Sequence, residues 1–194
     1  PISSEVARPA MGVSSYLGHN NAAYHAMLLG DLKAAHEHIE AGLALAEARA
    51  LNVVRQWLNS TRGEIALAEQ QWEEAEGWFT RGMVEAEKLD NAEMIANYHA
   101  NLGLAARGRG DLAAALARLE TARERAPSPY QQTQIDLWLA EVYLDRGERA
   151  AAEAALVRAE ARLAGGEHSR LQAQGDRLRQ GPLKKRRRAP RCEG

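Results

Sequence analysis

The chain has 194 residues and a net charge of −1, with 25 Lys and Arg residues against 26 Asp and Glu residues. No apolar run approaches the roughly 20 residues that a membrane-spanning helix needs, so we expect no membrane partner. The single cysteine, Cys192, has no partner in the sequence, which excludes an intrachain disulfide and favours a reducing, cytoplasmic location.

The composition predicts an all-α fold, because Ala, Leu, Arg and Glu are strong helix formers and β-branched residues are scarce. The charge is uneven: residues 183–194 hold six Lys and Arg residues and one Glu. We interpret residues 1–15 as a linker or frayed end and residues 182–194 as a basic disordered tail. Because the chain begins with Pro rather than Met, we expect it to be part of a longer protein.

From Tyr16 onward the sequence repeats at intervals of 40, 40 and 37 residues. One column of small residues contains Ala23, Gly63, Gly103 and Ala140, and a second contains Ala35, Ala75, Ala115 and Ala152. A column of larger residues contains Ile39, Phe79, Leu119 and Leu156. Small side chains let helix axes approach closely, and larger ones fill the space between them. The columns therefore predict helical hairpins that stack on one another.

Turn and cap signals set the predicted boundaries. Gly30, Gln70, Gly110 and Gly147 begin the four matched breaks. The predicted helices span 17–29, 32–50, 53–69, 72–89, 92–107, 112–125, 130–146, 149–164 and 167–180. The repeat array is 16–166, with repeats 16–51, 52–90, 91–127 and 128–166, and residues 167–181 form a capping helix. Ser128 is the predicted cap of one helix, Asp90 and Glu93 form a predicted capping box, and Gly165-Gly166 is a predicted stop.

At these columns the chain resembles the tetratricopeptide repeat family over roughly residues 17–164. The third repeat carries the most complete match, in Leu102-Gly103, Gly110-Asp111, Ala115, Leu119, Ala122 and Pro127. Two features depart from the family pattern: His19, Asn59, His99 and Asp136 occupy its tryptophan column, and the period is 40 rather than 34 residues. Long repeats of this kind resemble the sensor regions of MalT-like transcription activators. The Ala and Gly columns fit HEAT repeats less well, and a β-propeller would need strand-forming residues that the sequence lacks.

The resemblance implies a right-handed solenoid whose first helices line a concave groove. The residues it places in that groove are Asn20, Tyr24, Met27, Trp57, Ser60, Glu64, Leu67, Asn97, Ala100, Leu104, Arg107, Gln134, Leu137 and Glu141. Amides, apolar patches and few charges suit a peptide held by hydrogen bonds and one or two side-chain pockets. Only Asn101 and Arg107 match the family's carboxylate clamp, so we predict no binding of chaperone tails.

Catalytic and metal-binding signals are weak. The sequence holds no phosphate-binding GxxxxGK[ST] loop, and His36 and His38 diverge on a helix because they are two residues apart. We expect no cofactor, no metal and no enzymatic activity. The tripeptide Arg109-Gly110-Asp111 falls in the turn column, so a turn is favoured over an adhesion motif. Trp72, Trp78 and Trp138 are predicted to lie in or beside the core, whereas Trp57 faces the groove.

Two functional hypotheses follow. In the first, the chain is a scaffold that binds a protein or peptide in the groove. In the second, it is the effector-sensing segment of a larger signalling ATPase or MalT-like regulator, and it contacts other domains of the same chain. The basic run Lys184, Lys185, Arg186, Arg187 and Arg188 leaves nucleic acid as an option for the tail alone.

Overall fold

The computed structural model describes residues 8–164, 168–181 and 183, with side chains from residue 15 onward. The predicted stop at Gly165-Gly166, the basic run and Cys192 lie outside these residues. Within them the chain is all-α, as the composition predicts, with nine helices and no strand. The helices are α1 (Arg8–Leu28), α2 (Leu32–Ala48), α3 (Arg55–Ala68), α4 (Trp72–Lys88), α5 (Ala92–Gly108), α6 (Leu112–Arg125), α7 (Pro129–Asp145), α8 (Arg149–Leu163) and α9 (Ser169–Gln180).

The first helix is longer than the sequence predicts. It begins at Arg8, whereas residues 1–15 were expected to form a linker and the helix was expected to start at residue 17. Pro9 lies in the first turn, where the missing backbone N–H would have had no helical partner. The Pro and Ser residues of this segment are therefore compatible with a helix, and residues 8–15 belong to α1.

Each helix packs on its neighbours in the sequence, and the odd-numbered helices also contact one another in succession from α1 to α9. Four helix pairs result, each closed by the same turn. The turn residue has a positive φ in every pair: 80° at Gly30, 61° at Gln70, 82° at Gly110 and 78° at Gly147. The N–H of the next residue then bonds to the carbonyl five residues back, at 2.8 to 2.9 Å. The repeated sequence thus produces a repeated backbone.

Side-chain caps begin two of the second helices and two of the first helices. Asp31 and Asp111 each accept a hydrogen bond from the backbone N–H three residues later, at 3.0 Å. Ser128 accepts the N–H of Gln131 at 3.2 Å, as the sequence predicts. The predicted capping box from Asp90 is wrong. Asp90 has a φ of 49° and ends the preceding turn, so the cap is Asn91, which accepts the N–H of Met94 at 3.2 Å.

The small residues lie where helices cross. All eight predicted packing residues are buried: Ala23, Ala35, Gly63, Ala75, Gly103, Ala115, Ala140 and Ala152. A Cβ placed on Gly63 would lie under 3.0 Å from the ring of Phe79, and one on Gly103 would lie 2.9 Å from Leu119 Cγ. In both cases the glycine faces the large residue 16 positions later. Close helix approach therefore requires the small side chain in this column.

The third interval of the repeat is shorter because α6 is shorter. α6 has 14 residues, whereas α2 and α4 each have 17. Pro127 disfavours helical backbone at the preceding residue, and Ala126 is accordingly extended, with a ψ of 115°. The change from a 40-residue to a 37-residue interval is thus explained by one proline. None of the helices in the described ranges is both long and apolar enough to cross a membrane.

Candidate functional site on the odd-numbered helices

Polar side chains of α1, α3 and α5 hydrogen bond from one helix to the next. Thr61 on α3 donates to Asn20 on α1 at 2.9 Å. Asn97 on α5 donates to Ser60 on α3 at 3.1 Å. The structure therefore brings together three predicted groove residues: Asn20, Ser60 and Asn97. Part of their hydrogen-bonding capacity is used between neighbouring helices and is not available to a ligand. Their interhelical hydrogen bonds fix the spacing of the odd-numbered helices.

Glu64 is the central carboxylate of this surface. It accepts hydrogen bonds from Ser60 at 3.1 Å and from Asn101 at 3.3 Å. Burial raises the pKa of Glu64, and the two hydrogen bonds and the charge of Arg170 oppose that rise only in part. A carboxylate that is short of cationic partners accepts further hydrogen bonds readily. Glu64 is thus suited to receive an N–H group from a bound molecule.

Arg107 is already neutralised within the chain. Its guanidinium bonds to Glu141 on α7 and to Asp145 at 2.6 Å. Gln174 on α9 donates to the other oxygen of Glu141 at 2.7 Å. Arg107 and Glu141 were both predicted to face a groove, and the structure makes them an ion pair that joins α5 to α7.

The capping helix continues this surface. Leu171, Gly175 and Leu178 of α9 are buried, and Arg170 lies 3.5 Å from the hydroxyl of Tyr24 on α1. Two apolar residues of the capping helix, Leu171 and Leu178, are therefore inside the protein.

Three predicted groove residues are buried: Ser60, which is 5% exposed, and two residues of the core. Leu137 is 0% exposed and Ala100 is 1% exposed. A Cβ on Gly175 of α9 would lie 3.7 Å from Leu137 Cδ2, which shows that α9 covers this part of α7. The expectation that Leu137 and Ala100 face a ligand is thus wrong, because both belong to the same buried cluster beside α9.

A pocket of about 360 Å³ lies where α3, α5 and α7 meet. It is lined by Leu67, Trp72, Leu104, Arg107, Gly108 and Asp145. Trp72 packs across Gly108, where a Cβ would lie 2.5 Å from the indole. Apolar walls with an ion pair at one side are typical of a pocket for one apolar side chain of a ligand. Leu67, Leu104 and Arg107 are the predicted groove residues that the structure gathers here.

The remaining predicted groove residues lie at the surface. Tyr24, Met27 and Gln134 are half-buried, and Trp57 is 37% exposed. Trp78 was predicted to lie near the core, but the structure places it among charged side chains. Its indole N–H donates to Glu74 at 3.2 Å, and the guanidinium of Arg81 lies 4.6 Å from its ring centroid. A flat cationic group over the ring is favourable, and it holds the side chain at the surface.

One polar cluster was missed by the sequence reasoning. Asp136 on α7 is 0% exposed, and Arg158 on α8 grips one of its oxygens through two nitrogens at 2.9 and 2.7 Å. Arg162 bonds to the other oxygen at 2.7 Å, and Arg123 of α6 approaches to 4.0 Å. The spacing of Arg158 and Arg162, one helical turn apart, was the available signal, since both must face the same neighbour.

The other motifs have partners within the chain. His36 bonds to Glu69 at 2.9 Å, Arg109 pairs with Glu76, and Asp111 caps α6. Among the residues that the structure describes, no three His, Cys, Asp or Glu side chains are grouped as a metal site would require. No known family model matches the chain, and no curated protein sequence matches it.

Proposed function

We propose that the chain is a non-enzymatic binding scaffold of the tetratricopeptide-repeat kind. In this proposal α1 to α8 form a right-handed solenoid, α9 caps it, and the odd-numbered helices present the binding surface. The recurring turn, the glycines at the helix crossings and the successive contacts among odd-numbered helices support it. All three are expected of repeats that bury their apolar faces against their neighbours.

The ligand that this surface fits is a peptide segment with one large apolar side chain. The observation that carries the proposal is the pocket of about 360 Å³ beside Leu104. Gln134 and Asn97 offer amides near the surface, and Glu64 offers an acceptor, so a peptide backbone finds both kinds of hydrogen-bonding group. Arg107 contributes little free charge, because Glu141 and Asp145 already hold it. Apolar anchoring therefore dominates over charge pairing.

A selection from a random peptide library on the immobilised protein tests this proposal. The affinity of enriched peptides is then measured by calorimetry for the parent and for Leu104→Lys. The matched control is Val157→Lys, which makes the same kind of change at an exposed apolar residue of α8. We expect Leu104→Lys to weaken binding at least tenfold, or about 1.4 kcal/mol, and Val157→Lys to leave it unchanged.

Two outcomes contradict the proposal. One is the absence of any peptide enriched over a selection on an unrelated protein. The other is a set of enriched peptides that binds Leu104→Lys as tightly as the parent. Circular dichroism of both variants separates loss of binding from loss of folding.

A second candidate function is the effector-sensing segment of a larger regulator. It is favoured by a separate cleft of about 580 Å³ between α2 and α4, within the range of about 300–1,000 Å³ that small ligands occupy. Both candidates are consistent with a cytoplasmic protein whose partners include other parts of a longer chain.

A further inference from the structure

The cleft between α2 and α4 has α3 as its floor. It is lined by Glu40, Leu43, Ala44, Glu47, Arg55, Asn59, Trp78, Arg81, Val84 and Glu85. None of these residues belongs to the pocket beside Leu104. The two sites therefore have separate chemistry and can be tested separately.

Asn59 is an unusual floor residue. It is only 7% exposed, yet its amide hydrogen bonds to no other residue that the structure describes. The amide borders the open cleft and is not sealed from solvent, so a ligand that enters the cleft can reach it. The Asn59 amide can donate through its nitrogen and accept through its oxygen. It gives the bottom of the cleft an unused hydrogen-bonding position.

The matching position between α6 and α8 is filled within the chain. There the floor residue is Asp136, and Arg158 bonds to it from 22 residues later in the sequence. Arg81 lies 22 residues after Asn59 and is the counterpart of Arg158. With an amide at the floor, Arg81 has no carboxylate partner in the described part of the chain and lies over the ring of Trp78 instead. Asp136 is the one carboxylate in this column, whose other members are His19, Asn59 and His99, so Arg81 lacks the partner that Arg158 has.

The charges around the cleft favour a single negative charge in the ligand. Arg55 lines the cleft and makes no ion pair with any residue that the structure describes. Glu40 is held by Arg62 at 3.0 Å, and Glu85 is held by Lys88 at 3.1 Å. Glu47 also lines the cleft and would repel a second carboxylate. Two arginines are therefore available to one anionic group.

We propose that this cleft binds a small organic monocarboxylate with an apolar body. The ligand carboxylate takes the position that the Asp136 side chain occupies in the other cleft, where it accepts from Asn59 and pairs with Arg81 and Arg55. Leu43 and Val84 contact the apolar body. A free small molecule suits the volume of the cleft. A glutamate side chain of a partner protein would offer the same carboxylate, so the experiment must distinguish the two.

Titration with 3-phenylpropanoate tests the proposal, and uncharged 3-phenylpropanamide is the matched probe. Binding is followed by nuclear magnetic resonance at the Trp78 indole and the Asn59 amide. We expect the carboxylate to bind at least tenfold more tightly than the amide. Asn59→Asp should weaken its binding at least tenfold, because the new carboxylate captures Arg81. Asn52→Asp, at an exposed position between α2 and α3, is the charge-matched control and should bind as the parent does.

The proposal is overturned if neither probe shifts the two signals at about 10 mM, an upper limit for a weak small-molecule site. It is also overturned if acid and amide bind equally, or if Asn59→Asp binds the acid as the parent does. A third arm uses a blocked tetrapeptide with one glutamate. Binding of that peptide tenfold tighter than 3-phenylpropanoate would overturn the small-molecule assignment in favour of a protein side chain.

Discussion

The cleft between α2 and α4 and the cleft between α6 and α8 are built from matching positions of the repeat but are filled differently. Most of the matching pairs differ, and four of them are Leu43 and Arg123, Asn59 and Asp136, Trp78 and Ala155, and Glu85 and Arg162. In the second cleft two arginines close over a buried carboxylate. In the first, a cavity of about 580 Å³ stays open. The arginine bonds to the floor residue where that residue is Asp136, and it lies over the ring of Trp78 where the floor residue is Asn59.

The position between these two shows a third outcome. His99 on α5 occupies the same column, and burial lowers its pKa, with the charges of Arg118 and Arg125 acting in the same direction. Its buried Nδ1 has no hydrogen-bond partner in the described part of the chain. The residue 22 positions after His99 is Thr121, so this repeat has no arginine at the position of Arg81 and Arg158. A shared backbone supports these different outcomes, because the turns and helix crossings do not depend on these side chains.

The largest expected difference in stability is between the variants that remove the floor side chains, Asp136→Ala and Asn59→Ala. Asp136→Ala leaves Arg158 and Arg162 beside a buried site without a counter-charge, so we expect a loss of about 3–5 kcal/mol in the free energy of unfolding. Asn59→Ala removes no hydrogen bond seen in the structure, so its loss should be below about 1 kcal/mol. Urea unfolding measures both. Equal losses would show that the two clefts are not different in the way described.

The next effect concerns the helix crossing beside each cleft. Gly63 and Ala140 share a column, but Gly63 faces the ring of the fully buried Phe79. Gly63→Ala should therefore destabilise by about 1–3 kcal/mol through overpacking. Gly77 lies in α4 with open space around it, so Gly77→Ala should stabilise by about 0.5–1 kcal/mol. Thermal melting of the two variants gives the signs, and a stable Gly63→Ala would refute the assigned crossing.

A smaller effect is expected at the links that precede the two clefts. Ala50, after α2, has a φ of 51°, which strains a residue with a side chain, whereas the link after α6 uses the extended Ala126 and Pro127. Ala50→Gly should raise the unfolding free energy by about 0.5–1 kcal/mol. The substitution relieves the strain of the left-handed backbone, and the greater conformational entropy of unfolded glycine offsets only part of that gain. Ala126→Gly should lower stability, since Ala126 is unstrained. Denaturant midpoints compare them.

The smallest expected effect is a pH dependence of stability at Glu64. Asp136 is bonded to arginines, whereas Glu64 has amide and hydroxyl partners. Because burial raises the pKa of Glu64 above 4.5, the folded chain binds this proton more tightly than the unfolded chain does. Glu64 therefore lowers stability as the pH rises from its pKa in the unfolded chain to its higher pKa in the folded chain. Glu64→Gln should have a higher melting temperature than the parent at neutral pH. This difference should vanish near pH 4, which is below about the ordinary pKa of a glutamate. The exposed Glu124→Gln is the control and should show no such trend.

Most of the helices could be predicted because their signals are local. Apolar spacing, the turn glycines and the Ser128 cap act within a few residues, and the predicted bounds of α2 to α8 lie within two residues of those observed. The errors arose where a competing local conformation was possible. Asp90 resembles a cap in sequence, but only the structure shows its left-handed backbone, which makes Asn91 the cap.

The candidate site was harder to predict because it depends on contacts between distant helices. Periodicity places Leu137 and Glu64 on the same face, but only the position of α9 shows that one is buried and the other is half-buried. Trp78 has the spacing of a residue beside the core, yet the arginines around it come from both α3 and α4. Periodicity reports the face of a helix and does not report which charges a neighbouring helix brings.

The most direct test of the shared architecture is the unfolding free energy of Asn59→Asp, with Asp136→Asn measured beside it. If Arg81 can turn inward as Arg158 does, Asn59→Asp should be as stable as the parent or more stable, while Asp136→Asn loses stability because its arginines lose their charge partner. If the clefts are not equivalent, the new aspartate is a buried charge without a partner. A loss of about 3 kcal/mol or more in Asn59→Asp would then contradict the account.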